Sequence, residues 1–263
     1  PPPPPPPPFF FKPKTANEII EAAPNVTVNM VVDAGAGDDH IVTGMGDDRI
    51  YGGDGNDFIQ TIGGRNDIDG GSGDDVIHGA GGQNIISAGG GSDQVNLAGG
   101  ENTVYAGDGD STVNGAGSGD TVYAKASDLI NSVGAAAPTV VNVEIDPDLG
   151  RSVEITGSDA FRERMEAEMD FLRASPGGQQ MLAELDAAAE KGNVVTIREL
   201  ANEQNGYAQT MGRANAEIRN GQAGTGSDVL VSYNPSFHMD AFPAPNVVLF
   251  HELSHAYNGV TGT

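Results

Sequence analysis

From Ala34 to Tyr123 the sequence repeats every nine residues without an insertion. In register it reads AGAGDDHIV, TGMGDDRIY, GGDGNDFIQ, TIGGRNDID, GGSGDDVIH, GAGGQNIIS, AGGGSDQVN, LAGGENTVY, AGDGDSTVN and GAGSGDTVY. The eighth position is always a branched aliphatic: Ile41, Ile50, Ile59, Ile68, Ile77, Ile86, Val95, Val104, Val113 and Val122. This period constrains the fold more than any other feature. The early glycines of each unit permit a tight turn, and the aliphatic marks a very short strand. Nine residues cannot bury that side chain alone. Stacked units can, by sharing one thin core in which each unit touches only its neighbours. The expected architecture is a parallel β-roll. The segment NVTVNMVVD, Asn25 to Asp33, alternates without the glycines and is expected to begin or cap it.

The nonads resemble RTX-type calcium-binding β-rolls over about a third of the chain. In such a roll two nonads make one turn, so alternate units stack on opposite edges. At the sixth position the odd edge carries Asp39, Asp57, Asp75, Asp93 and Ser111, and the even edge Asp48, Asn66, Asn84, Asn102 and Asp120. Turns stack about 4.8 Å apart. Two carboxylates at that spacing repel by roughly 1 kcal/mol in water and about 3.5 kcal/mol at an effective dielectric of 20. Stacked aspartates therefore need cations between them, and calcium, which takes carboxylate and carbonyl oxygens, is the natural one. Stacked asparagines need none, because amides hydrogen-bond along the stack. The second position agrees: glycine throughout the odd edge, but Gly44, Ile62, Ala80, Ala98 and Ala116 on the even edge. Calcium is expected at Asp39, Asp57, Asp75 and Asp93, against the alternative of a plain roll that binds none. His40 and His78 are read as surface residues.

The 263 residues carry 13 basic and 37 acidic side chains, a formal charge of -24. This argues against a basic face for nucleic acid or anionic membrane. Without cysteine, neither a disulfide nor a cysteine zinc site is available. No apolar run reaches membrane-spanning length, and no classical signal peptide is visible. Pro1 to Pro8 favour polyproline II and read as a stiff tail or linker, and the three phenylalanines after them as a small anchor onto the next domain. The expected organisation is a proline-rich segment over 1–24, the β-roll over 25–135, with AKASDLINSVGAAAPT as cap and linker, and a second domain over 136–263.

In that second domain strand-like and helix-like segments mix, the pattern of an α+β fold. TVVNVEID, RSVEITG, NVVTIREL and SDVLVSYNP read as strands. Ser158-Asp159 opens a helix that Pro176-Gly177-Gly178 is expected to end, and QQMLAELDAAAEKG forms a second, stopped by Gly192. The last helix is expected to start after Pro245, with Asn246 as N-cap, and to stop at Gly259. It contains His251, Glu252 and His255, the H-E-x-x-H pattern. Histidines four apart share a helix face, so both imidazoles can reach one zinc. Glu252, about 100° round the helix, is placed to act as general base on a zinc-bound water. By chance the pattern arises in on the order of one chain in 200. A metzincin would need Gly at 258 and His at 261; the sequence has Asn258 and Thr261, which excludes the serralysin arrangement. His238 is read as a substrate contact or as having no role.

From SVEITGSDAFRERMEAEMDFLRASPGGQQMLAEL through GSDVLVSYNP to NVVLFHELSHAYNGVTGT, the domain resembles the NleD- and XopG-like zinc metallopeptidases among type III secreted effectors of Gram-negative pathogens. HELSHAYN and the SYNP strand are its most specific parts. The resemblance implies a zincin-like bacterial virulence peptidase, secreted, acting on protein or peptide substrates including host proteins. It implies zinc at His251 and His255, catalysis by Glu252, and a third, acidic ligand downstream. Ala256 to Thr263 contains neither an acid nor a histidine. The third ligand is therefore expected beyond Thr263, in a domain cut short at its C-terminus. The alternative reading is a calcium-binding interaction or spacer protein with an inactive zinc domain.

Overall fold

The computed structural model describes residues 9–11, 17–200, 207–210, 224–234 and 245–262. The octaproline and His238 lie outside them. The chain divides into two compact units, Pro1–Ile145 and Asp146–Thr263.

The first unit is a parallel β-roll of two sheets. One has eight strands in the order β1 (Phe9–Phe11), β3 (Met30–Ala36), β5 (Arg49–Asp54), β7 (Asp67–Ser72), β9 (Ile85–Ser87), β11 (Thr103–Tyr105), β13 (Thr121–Ala124) and β15 (Thr139–Asn142). The other has seven: β2 (Ile19–Glu21), β4 (His40–Val42), β6 (Phe58–Gln60), β8 (Val76–Ala80), β10 (Gln94–Ala98), β12 (Thr112–Ala116) and β14 (Leu129–Ser132). The chain alternates between the sheets at each short strand, so one turn spans two nonads. Register follows the period: Ile41 pairs with Ile59, and Ile59 with Ile77. All ten eighth-position aliphatics are at most 3 % exposed. They form a single file of side chains between the sheets, as the period predicts.

The roll is longer than its nonads. Phe9 and Phe11 of β1 pair with the buried Met30 and Val32, so the phenylalanine run adds a strand to the end of the stack. At the other end, Ala124–Thr139, read as a cap and linker, supplies β14 and leads into β15. Here Leu129 pairs with Thr112 and Thr139 with Thr121. AKASDLINS is thus an eleventh unit whose aspartate and aliphatic fall one place early, at its fifth and seventh positions, which hid it from a strict nine-residue register. TVVN belongs to the roll rather than to the second domain.

The second unit holds a four-stranded sheet, β16 (Glu154–Thr156), β17 (Val195–Glu199), β19 (Val229–Tyr233) and β18 (Tyr207–Thr210). The first three run parallel, and β18 pairs antiparallel with β19. Helices α1 (Asp159–Arg173), α2 (Pro176–Ala189) and α3 (Pro245–Thr261) share one apolar core with the sheet. The Ser158 hydroxyl accepts the Phe161 N–H and caps α1, as expected. Pro176-Gly177-Gly178 does not form a break after it. Ser175 caps α2 by accepting the Gly178 N–H, Pro176 sits in the first turn, and Gly178 packs against Leu172. A Cβ there would lie 2.2 Å from the Leu172 carbonyl oxygen. The Pro-Gly-Gly run therefore starts a helix at close helix–helix contact.

Ile77→Ala should destabilise the roll by about 2–5 kcal/mol, the cost of a cavity in a core one side chain thick. Ile85→Ala, at a position 39 % exposed, should cost well under half of that. Chemical denaturation of the two variants compares them directly.

Candidate functional site

On the odd edge the sixth-position residues form the column the sequence implies. The Asp39 N–H donates to Asp57 Oδ1 at 2.8 Å, Asp57 N–H to Asp75 Oδ1 at 2.8 Å, and Asp75 N–H to Asp93 Oδ1 at 3.0 Å. One oxygen of each carboxylate in the second to fourth turns thus pins the turn before it. The other is a different matter. Oδ2 of Asp39, Asp57 and Asp75 is buried without a hydrogen-bond partner. These oxygens converge with backbone carbonyls. A Cβ placed on Gly52 would lie 2.3 Å from Asp57 Oδ2 and 2.4 Å from the Gly70 oxygen. On Gly70 it would lie 2.4 Å from both Asp75 Oδ2 and the Ala88 oxygen. Bare carboxylate oxygens beside carbonyls are the donor set of a hard cation, so the residues present fit calcium. Burial pushes the Asp75 carboxyl up to about 8, and the neighbouring Asp57 and Asp93 charges add to the rise. Burial likewise takes Asp57 and Asp93 to about 7.

The glycines of this edge have a steric reason. Gly53 has φ 119°, and a Cβ on it would stand 1.6 Å from the Gly35 oxygen. At the second position the even edge instead carries Ile62 and three alanines; its own close approach is at the fourth position, where a Cβ on Gly82 would stand 1.6 Å from the Gly64 oxygen.

The even edge is an amide ladder. Asn66 Nδ2 donates to Asn84 Oδ1, Asn84 Nδ2 to Asn102 Oδ1, and Asn102 Nδ2 to Asp120 Oδ1, each at 2.9 Å. The same amides donate to the Gly63, Gly81 and Gly99 carbonyls, and each side-chain oxygen also accepts a backbone N–H from the preceding turn. Nothing in this run is left for a cation to satisfy. The exception stands at its head. Asp48 is fully buried, its Oδ2 has no partner, and burial raises its carboxyl above the usual range. The sequence carried a signal for it: TGMGDDRIY keeps the glycine spacing and the aspartate, although its edge was read as amide overall.

His40 and His78 lie on the outer face of the second sheet, where Phe58 stacks on His40 at 4.7 Å and meets His78 at 5.3 Å.

In the second unit, α3 presents the H-E-x-x-H residues. Leu249, Leu253, Ala256 and Val260 form its buried stripe, while His251 and His255 are exposed on the opposite side and Glu252 is half-buried. The helix starts at Pro245, earlier than expected, and runs past Gly259 to Thr261. Its stop is Gly262, at φ 74°. Gly259 is not a stop because the last turn is held from outside. The Ser227 N–H donates to the Gly259 oxygen, and Asn193 Nδ2 to the Val260 oxygen. The His251 and His255 Nε2 atoms stand 3.1 Å apart, with the rings edge to face. Two nitrogen ligands of one tetrahedral zinc would lie about 3.3 Å apart. Two imidazole lone pairs at this distance repel unless a proton or a metal lies between them, so the pair fits zinc. Among the described residues no third His, Cys, Asp or Glu joins them. His238, which the sequence left without an assigned role, lies outside those residues.

Residues 150–263 match the peptidase M91 family, described as effector protein. Residues 31–59, 61–95 and 98–128 match the RTX calcium-binding nonapeptide repeat. No curated protein and no solved structure matches the chain. Among the described residues no helix is long and apolar enough to cross a membrane.

The raised carboxyls set the sign of a pH effect. Without calcium, their contribution to stability is fully present below the ordinary carboxyl value near 4 and is lost as pH rises through about 7–8. The calcium-free roll should therefore melt lower at pH 9 than at pH 5, by on the order of 10 °C. Saturating calcium should abolish or reverse the difference. Circular dichroism melts in chelator and in calcium check this.

Proposed function

We propose that this chain, with an M91-type effector peptidase sequence following an RTX roll, is a secreted zinc metallopeptidase whose roll is ordered by calcium. The observation that carries the peptidase half is the pair of exposed imidazoles with facing Nε2 atoms, next to Glu252, on a helix held by a buried stripe. His251 and His255 hold the zinc. Bound there, zinc supplies the Lewis acidity that makes a water nucleophilic near neutral pH. Glu252 would accept the proton of the attacking water and return it to the leaving amine. The rigid helix keeps the three side chains in register with a peptide bond of a protein or peptide substrate, host proteins included.

Calcium acts at Asp39, Asp57, Asp75 and Asp93. The acidic edge is loose at low cytosolic calcium and folds at the millimolar concentrations outside the cell, which suits export. Three unpartnered buried oxygens support this reading. The second reading, a calcium-ordered spacer with an inactive zinc domain, is favoured by one observation: only two ligands meet among the described residues.

The test is metal content together with cleavage of a denatured protein mixture. Wild type should bind about one zinc per chain and cleave; Glu252→Gln should keep the zinc and lose at least about 100-fold in rate. Equal rates for the two would sink the peptidase reading in favour of the spacer. For the roll, Asp57→Asn and Asp75→Asn should each weaken calcium binding at least about tenfold, the loss of one carboxylate ligand. Asn84→Ala should lower stability and leave calcium affinity within about twofold. Equal calcium loss in all three variants would overturn the assignment to one edge.

A further inference from the structure

The aspartate column does not run to the end of the roll. After Asp93 the column continues with Ser111, at the sixth position of its unit, and then Asp128, at the fifth position of the eleventh. The unpartnered oxygens stop at the same point. Asp93 Oδ1 accepts the Asp75 N–H, and its Oδ2 accepts the Ser111 hydroxyl at 3.3 Å. Ser111 Oγ in turn accepts the Asp93 N–H at 3.2 Å. Asp128 is satisfied twice over: Oδ1 by the Ser111 N–H at 2.9 Å, and Oδ2 by the Lys125 N–H at 2.6 Å. Three carboxylates in a row have an oxygen that no protein group satisfies; the last two in the column have none.

Lys125 is the second element. It occupies the second position of its unit, where Gly35, Gly53, Gly71, Gly89 and Gly107 stand in the units before it. All five of those glycines have positive φ. The Lys125 side chain is only 19 % exposed, and Nζ lies 3.4 Å from Asp108 Oδ1 in the turn beneath. A tethered ammonium thus sits on the acidic edge just past the last of the stacked aspartates. Ser111 and Asp128 are 17 residues apart, where Asp93 and Ser111 are 18 apart, so the turn from Lys125 to Asp128 is one residue tighter than those before it.

We propose that Ser111, Lys125 and Asp128 form a built-in terminator that ends the cation array at Asp93 and keeps the last turns of the roll folded without calcium. The inference rests on the reading that the odd edge binds calcium. The serine hydroxyl replaces a carboxylate that would need a cation, the ammonium supplies a fixed positive charge, and Asp128 ties both through backbone N–H groups. Calcium dependence is then confined to the turns between Asp39 and Asp93.

Hydrogen exchange of the full chain in chelator and in millimolar calcium tests this. Amides of 112–131 should be protected in both conditions, and within 39–78 those of the acidic-edge units, 52–60 and 70–78, should gain at least about tenfold protection only with calcium. The double variant Ser111→Asp, Lys125→Gly should bind about one further calcium per chain and make protection of 112–131 calcium-dependent. If wild type binds calcium but 112–131 loses protection in chelator together with 52–60 and 70–78, the terminator is wrong and the calcium reading stands. If equilibrium dialysis finds no calcium bound, both fall. The wild-type comparison decides the question even if the double variant fails to fold.

Discussion

Each turn of the roll is pinned to its neighbour by a side-chain oxygen that accepts a backbone N–H from the turn before. This contact recurs on both edges and fixes the spacing of everything else. It requires a short acceptor at every sixth position, and Asp, Asn or Ser all serve. What differs is the remaining half of the side chain. An amide finishes its hydrogen bonds on its neighbours, whereas the carboxylates of Asp39, Asp48, Asp57 and Asp75 are each left with a bare, buried oxygen. The same backbone thus yields one edge complete in itself and one that leaves buried oxygens without a protein partner. One heavy atom per residue separates a seam satisfied within the protein from one that leaves its oxygens bare.

The roll was legible because its period is short and its inward position tolerates only branched aliphatics. Sorting the sixth position by parity was enough to separate the edges, since the stacking interval is two units. The reading failed where the repeat is kept by geometry and lost in letters. AKASDLINS has no glycine and sets its aspartate and aliphatic one place early, yet it still pairs with the turn before it. Phe9–Phe11 shows no nonad at all and completes the other end by strand pairing. Asp48 was absorbed into an amide edge because three of its neighbours are asparagines, although its own unit has the acidic pattern.

The second unit was legible in a different way. The histidine pair follows from helical spacing alone, and the buried stripe of α3 lies where the apolar residues put it. The helix boundaries did not follow, because they depend on partners distant in sequence. Gly259 looks like a stop, but Ser227 and Asn193 hold the carbonyls around it and the helix continues. Pro176-Gly177-Gly178 looks like a break, but Ser175 and the approach of Leu172 turn it into a helix start. In each case a local signal gives way to a tertiary contact that no window of the sequence contains.

The amide seam has a kinetic consequence. Because Asn66, Asn84 and Asn102 satisfy one another without an ion, that side stays stitched when the acidic side is empty. Each acidic turn is then a short arc held at both ends, and ordering it costs the closure entropy of a handful of residues rather than of a full two-unit coil. An incoming ion meets a preorganised arc in the correct alignment and has no search for register to complete. The roll can thus fill its acidic side arc by arc, as a book is sewn along a spine already bound.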